Sequence, residues 1–385
     1  MMGDRPIRLS VREKTNPSTE EDLAAIVADC RDRSEGLCIA GGRTRIPPGT
    51  IQARRQLTTH ALTGIVDYEP GELTLVVRAG TPIADIDALL SGAGQQLAFE
   101  PTDSRRLLDT DGTPTIGGVV AANVSGPRRI VAGACRDHLL GVRFVDGHGR
   151  ILKSGGRVMK NVTGLDLGKL LCGSFGTLGI LTQVALKTLP AAPCQETLAL
   201  HGVSAVHAVG IFAKALATPF EVSGAAYHEG TAWLRLEGLE QQVAYRRGRL
   251  QALFGSEEIE ILSGEASRGC WRSLRDVEHF AGVDTPLWRV LVKPTEAPAT
   301  IAALERLGGR TSIDWGGGLI WYCGPAEGSP VRAVLPAGHA TLLRRGSLPA
   351  GDLFQPATRA VAALSASLRR TFDPIGILNP GLMGA

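Results

Sequence analysis

The chain has 385 residues, 48 of them glycine, and 41 Lys and Arg against 38 Asp and Glu leave a formal charge of +3. Glycine at about 12% exceeds the roughly 7% of an average protein, yet the apolar and charged contents, 44% and 21%, are globular and the glycines have no three-residue period, so collagen and disorder are excluded. So small a net charge argues against a nucleic-acid partner, and at roughly 150 residues per domain the length argues for two domains.

The N-terminal stretch MMGDRPIRLSVREK lacks the apolar core of a signal peptide, and no run of 18 apolar residues occurs, so a cytoplasmic chain without a transmembrane segment is expected. Ser18 followed by Glu21 predicts a capping box, with Leu23, Ile26, Val27 and Cys30 at helical spacing to about Asp32. Residues 37–40 predict a strand that runs into the loop Gly41-Gly42-Arg43-Thr44-Arg45, and residues 72–79 predict another. Thr81 as N-cap and Pro82 at the first helical position open a helix that buries Ile83, Ile86, Leu89 and Leu90 and stops at Gly92. Residues 142–145 and 151–153 flank Asp146-Gly147-His148-Gly149, a hairpin signature, and residues 180–189 read as a closing strand.

Ala191-Ala192-Pro193 marks a boundary, and all five tryptophans (Trp233, Trp271, Trp288, Trp315, Trp321) lie beyond it, as a second core requires. There, residues 232–236, 288–292 and 319–322 predict strands, and residues 243–254, 297–307 and 357–368 predict helices. The class is α+β.

Common motifs are missing. No G-x-G-x-x-G follows a strand, Gly168-Lys169 leads to Leu170 where a phosphate loop needs Ser or Thr, and His228-Glu229 leads to Ala232 where a zinc protease needs a second His. The eight histidines, His60, His138, His148, His201, His207, His228, His279 and His339, never fall at metal-ligand spacing, so no metal is expected. The seven cysteines, Cys30, Cys38, Cys135, Cys172, Cys194, Cys270 and Cys323, form no C-x-x-C and read as reduced, mostly buried thiols.

The segment from Gly112 to Gly179 stands out, with 15 glycines and nine basic residues against three acidic ones. Glycine loops whose free amides make concave anion sites suit a pyrophosphate: Gly41 to Arg45, Thr115 to Gly118, then Ala121, Asn123, Ser125 and Gly126. The composition alone is equally compatible with glycines that only make tight turns.

The runs "LTLVVRAGTPIADIDALLSGAGQQLAFEPTD", "TIGGVVAANVSGPRR", "RDHLLGVRFVDGHGRILKSGG", "MKNVTGLDLGKLLCGSFGTLGILT" and "FDPIGILNPGLM" resemble the FAD-binding fold of the vanillyl-alcohol-oxidase (PCMH-type) flavoproteins. Within that superfamily they are most similar to the FAD-binding E subunits of bacterial glycolate oxidases (glycolate dehydrogenases). The resemblance implies a two-part FAD domain over residues 1–190, a smaller α+β cap over 191–370 and a tail, 371–385, that returns to the FAD domain. It implies that Ala40, Gly41, Gly42, Arg43 and Thr44 bind the FAD pyrophosphate and that Pro101, Thr102 and Asp103 pass beside the flavin. Thr115, Gly117, Gly118, Ala121, Asn123, Ser125 and Gly126 would form the second cradle. Gly179 and Ile180 would pack on the adenine side, and Asn379 would return from the tail.

The departures matter too. Arg43-Thr44-Arg45 offers no histidine where covalent relatives have one, so non-covalent FAD is expected, and Phe175 stands where many relatives have Glu in "GSEGTLG". The histidine-rich substrate motif of related dehydrogenases is reduced to Gly338-His339-Ala340. For a hydroxy acid, Arg128, Arg129, Lys160 or Arg344 are candidate cations and His339 a candidate base, with His339 and Arg344 preferred as the catalytic pair.

The function implied is oxidation of glycolate or a related 2-hydroxy acid to glyoxylate or its equivalent. Electrons would pass to an iron-sulfur subunit and a larger flavoprotein subunit of one complex, which would also be the route to any inner-membrane contact. The alternatives are a non-catalytic electron-relay or assembly subunit, a stand-alone FAD-dependent D-lactate-type dehydrogenase, and an oxidase using oxygen.

Overall fold

A computed structural model describes residues 13–47, 49–51, 53–156, 165–335, 337–349 and 351–384. The helix Glu20–Asp32 opens the first unit. Its cap is Thr19, whose hydroxyl accepts the Asp22 N–H, one residue later than the expected Ser18. Glu20, the first helical residue, gives its carboxylate to Arg143 and to the Thr182 hydroxyl. The helix buries Leu23, Val27 and Cys30 against Leu37, Leu57, Val145 and Ile180, each fully buried side chain contributing about 1.5–3 kcal/mol.

Leu37–Ala40 is the strand expected, and it lies parallel to Arg55–Thr58, which also pairs with Glu13–Thr15. Beside this small sheet stands an antiparallel one of five strands in the order Ile65–Glu69, Thr74–Arg78, Ile180–Lys187, Leu139–Val145, Ile151–Gly155. The helix Ile83–Gly92 covers it, burying Ile86 and Leu90 and half-burying Ile83 and Leu89. Pro82 rather than Thr81 is its N-cap. The Thr81 hydroxyl instead donates back to the Arg78 carbonyl at 2.7 Å.

From Cys194 the chain builds an antiparallel sheet of eight strands. Alternation divides each strand between two environments. Ala232, Leu234 and Leu236, with Trp288, Val290, Ile320 and Tyr322, face the helices Ala205–Leu216, Glu240–Leu253 and Ala297–Arg306. Arg235 and Glu237, with Leu287, Arg289, Leu319 and Trp321, face the other way, toward the first unit, where Leu107 and Ile130 meet them. Trp315 and Trp321 therefore pack at the seam between the units rather than in the helix-covered core.

The tail closes the circuit. Asp373, buried, accepts the N–H groups of Gly376, Ile377 and Leu378. The shaped turn lays Leu378 beside Leu37: the Leu37 N–H donates to Ile377 O and the Asn379 N–H to Leu37 O. Among the described residues no helix is long and apolar enough to cross a membrane.

Candidate cofactor site and the seam beside it

A cavity of about 860 Å³ opens where the small sheet, the five-stranded sheet and the tail meet, a volume in the range of cofactor pockets. Of the residues expected there, Ala40, Gly41, Gly42, Arg43 and Thr44 line it from the first loop, and Thr115, Gly117, Gly118 and Ala121 from the second. Gly179, Ile180 and Asn379 complete the set.

What these loops offer a ligand is unpaired polarity. The five backbone N–H groups from Gly41 to Arg45 donate to no acceptor among the described residues, and Arg43 sits at φ 55°. Buried amides are nearly always paired, and a row of free ones about a left-handed residue makes an anion site. Thr44, Gln56, Thr59 and Ser174 are buried in the same wall. None of their side chains hydrogen-bonds within the described protein. The wall fits a ligand with a diphosphate and several hydroxyls.

The glycines themselves answer to the protein. A Cβ on Gly42 would stand 1.6 Å from the Thr113 carbonyl oxygen, and one on Gly112 would stand 1.7 Å from that of Gly42. The two loops are pressed backbone to backbone, which leaves their amides to the cavity.

Asn379 ties three segments together. Its Oδ1 accepts the Ile39 N–H at 2.7 Å and its Nδ2 donates to the Phe175 carbonyl at 2.8 Å. Phe175, in the cavity wall, also meets Phe354 of the second unit with ring centroids 5.0 Å apart. Arg45 is a half-buried cation of the wall, donating to Ser104 Oγ and Thr102 O and held down to about 10 by burial.

Six expected residues, Pro101, Thr102, Asp103, Asn123, Ser125 and Gly126, do not line this cavity. The polar groups of five of them are engaged inside the protein. Thr102 backs Arg45, Asp103 takes Arg105, Asn123 and Ser125 accept the N–H groups of Arg136 and Cys135, and Gly126 O accepts Trp315 Nε1. The preferred catalytic pair is not assembled either. His339 is exposed at the start of an edge strand, and Arg344 donates to three carbonyls, Thr285 O, Leu107 O and Phe280 O, at 2.7 to 2.8 Å. Arg344 is a clamp between units. Lys160 lies outside the described residues.

Sequence reasoning missed the charge network of the seam. Arg235, 1% exposed, holds both oxygens of Glu100, and Arg128 joins Glu100 to Glu237. Burial would raise the Glu100 carboxyl, but Arg235 and Arg128 override it and hold it at about 2. Asp314 goes the other way. Burial raises it to about 7, despite the Trp315 N–H it accepts. The two-residue alternation over 232–238 was the available signal, since it puts Arg235 and Glu237 on one face.

A family model described as a FAD binding domain matches residues 15–155. The chain is 35% identical over 353 residues to glycolate oxidase subunit GlcE of Escherichia coli (strain K12), across 91% of this chain and 93% of that one. It is 30% identical over 186 residues to a D-2-hydroxyglutarate dehydrogenase of Xanthomonas citri pv. viticola and 28% identical over 184 residues to glycolate oxidase subunit GlcD of Bacillus subtilis, in each case over 38% of the relative. Among solved structures, an alkyldihydroxyacetonephosphate synthase superposes with a TM-score of 0.67 at 15% identity, over 95% of this chain and 76% of that one, a likeness of fold.

Proposed function

The chain belongs to the FAD-binding (PCMH-type) family of glycolate oxidase subunit GlcE, and from that premise we propose that it holds FAD non-covalently and oxidises glycolate, or a related 2-hydroxy acid, within a heteromeric complex. The observation that carries the reading is the row of five amides, Gly41 to Arg45, that find no acceptor among the described residues, in the wall of the 860 Å³ cavity. These amides suit the diphosphate. Thr44, Gln56, Thr59 and Ser174 suit the hydroxyls and ring edge of the same ligand.

The bound flavin supplies the two-electron acceptor for the substrate carbon. Arg45, half-buried in the wall, would offer a positive charge to the bound cofactor. Cys38, the cysteine of the wall, has its thiol pushed up by burial, so little thiolate is available for a flavin linkage. Phe175 against Phe354 joins the cavity wall to the second unit.

Electrons then pass to an iron-sulfur subunit and a larger flavoprotein subunit, partners that would also account for any contact with the inner membrane. A relay role, with another subunit handling the acid, draws support from the 38% of their length that the related dehydrogenases share with this chain. Purification of the chain tests the reading. Absence of bound FAD with no uptake on reconstitution would sink it, and anaerobic bleaching by glycolate near 450 nm, roughly where oxidised flavin absorbs, separates catalysis from relay.

A further inference from the structure

Most arginines of the seam have partners: Arg128, Arg235, Arg275 and Arg344 are held by carboxylates or carbonyls. Two are not. The guanidinium groups of Arg129, on the short helix Arg129–Ala132, and of Arg289, on the strand Leu287–Leu291, make no hydrogen bond and no ion pair with any described residue. Both converge on one ring. Their guanidinium carbons stand 4.4 and 5.1 Å from the centroid of Trp315.

Stacking on tryptophan is favourable for a guanidinium, yet it gives the N–H donors of each no protein acceptor among the described residues and leaves them to water or a ligand. Two like charges gathered about one ring repel. Burial and the neighbouring Arg129 charge push Arg289 down to about 10. Asp314 is the adjacent carboxyl, but it accepts the Trp315 N–H at 2.7 Å and forms no ion pair with Arg289. An anion with two oxygens would satisfy both arginines at once.

The cluster does not line the cavity but is tied to its wall. Trp315 Nε1 donates to Gly126 O at 3.0 Å, and Gly126 lies four residues beyond Ala122 of the cavity wall, within about 14 Å of chain. One arginine comes from each unit, so the pair exists only when the seam is closed.

We propose that Arg129 and Arg289, set on Trp315, form a subsite for the carboxylate of a small organic acid. The identity of that acid as a 2-hydroxy acid rests on the function proposed above.

The test uses the FAD-loaded chain and calorimetric titration with 2-hydroxyisobutyrate, which has no hydrogen on its 2-carbon to lose, beside the neutral 2-methylpropane-1,2-diol. The acid is expected to bind and the diol not to. Arg129→Met and Arg289→Met should each weaken the acid at least tenfold, and Arg289→Lys, which keeps charge but loses the fork, should fall between, with melting temperature and FAD content unchanged. Acid binding of wild-type strength in both Met variants, or none in the wild type, would overturn the subsite. If Arg289→Met does not fold, Arg129→Met and Arg289→Lys decide the matter. Anaerobic reduction by glycolate keeps the two ideas apart: reduction with unchanged affinity in the variants removes the subsite alone, and binding through the pair without reduction by any 2-hydroxy acid removes the proposed catalysis alone.

Discussion

Arg235 lays its Nη1 and Nη2 on the two carboxylate oxygens of Glu100 at 2.8 and 2.9 Å, joining residues 135 apart in sequence. The pair fastens the eight-stranded sheet to the first unit. Glu100→Gln would leave Arg235 and Arg128 to share Glu237, and an uncompensated buried charge costs about 3–5 kcal/mol. Urea denaturation of the variant should show that loss. A change below about 1 kcal/mol would mean that the network adds little to cohesion.

Asp314 makes stability depend on pH in the unusual direction. Its carboxyl is raised from the ordinary 3.8 to about 7, so across that window the native chain keeps a proton that the unfolded chain releases. Stability from this group is therefore greatest at low pH and falls as pH rises from about 4 to 7. Glu100, held near 2, works oppositely, its contribution being present above 4.5 and lost as pH falls toward 2. Asp314→Asn should flatten the fall between pH 4 and 7 in denaturation midpoints, and an unchanged slope would refute the assignment.

Gly42→Val drives a side chain into the Thr113 carbonyl and must part the two loops. The purified variant should carry little FAD by absorbance. Gly248→Ala, on an open face of the helix Glu240–Leu253, is the matched control: it should retain FAD and gain about 0.5–1 kcal/mol. FAD retained at the wild-type level in Gly42→Val would count against the first loop.

Asn379→Gly keeps the left-handed backbone, φ 47°, but removes the bonds to Ile39 and Phe175. Losing two partly buried hydrogen bonds weakens the wall by about 1–3 kcal/mol. FAD should dissociate about tenfold or more readily by fluorescence titration. Wild-type affinity would place the tail outside the cofactor site.

The glycine loops were legible because backbone contact leaves no substitute for glycine, as Gly42 and Gly112 show. The segment after Ala122 was not, because a motif shows that Asn123, Ser125 and Gly126 belong together without showing where the chain turns from the cavity. Arg235 and Glu237 gave no sign of the seam either. An alternating polar face serves water and a charged partner surface equally, and only Glu100 decides between them. A strand as polar as Arg55–Thr58, with Leu57 its one apolar residue, carries too little apolar signal to be read at all.

The bond from Ile39 to Asn379 spans 340 residues. A ribosome adding about 5–20 residues per second separates their synthesis by tens of seconds. Throughout that interval the Ile39 N–H lacks the acceptor that the tail supplies. Full affinity for the dinucleotide is therefore expected only after residue 379 has been made and docked, and chains cut before it should hold FAD more weakly.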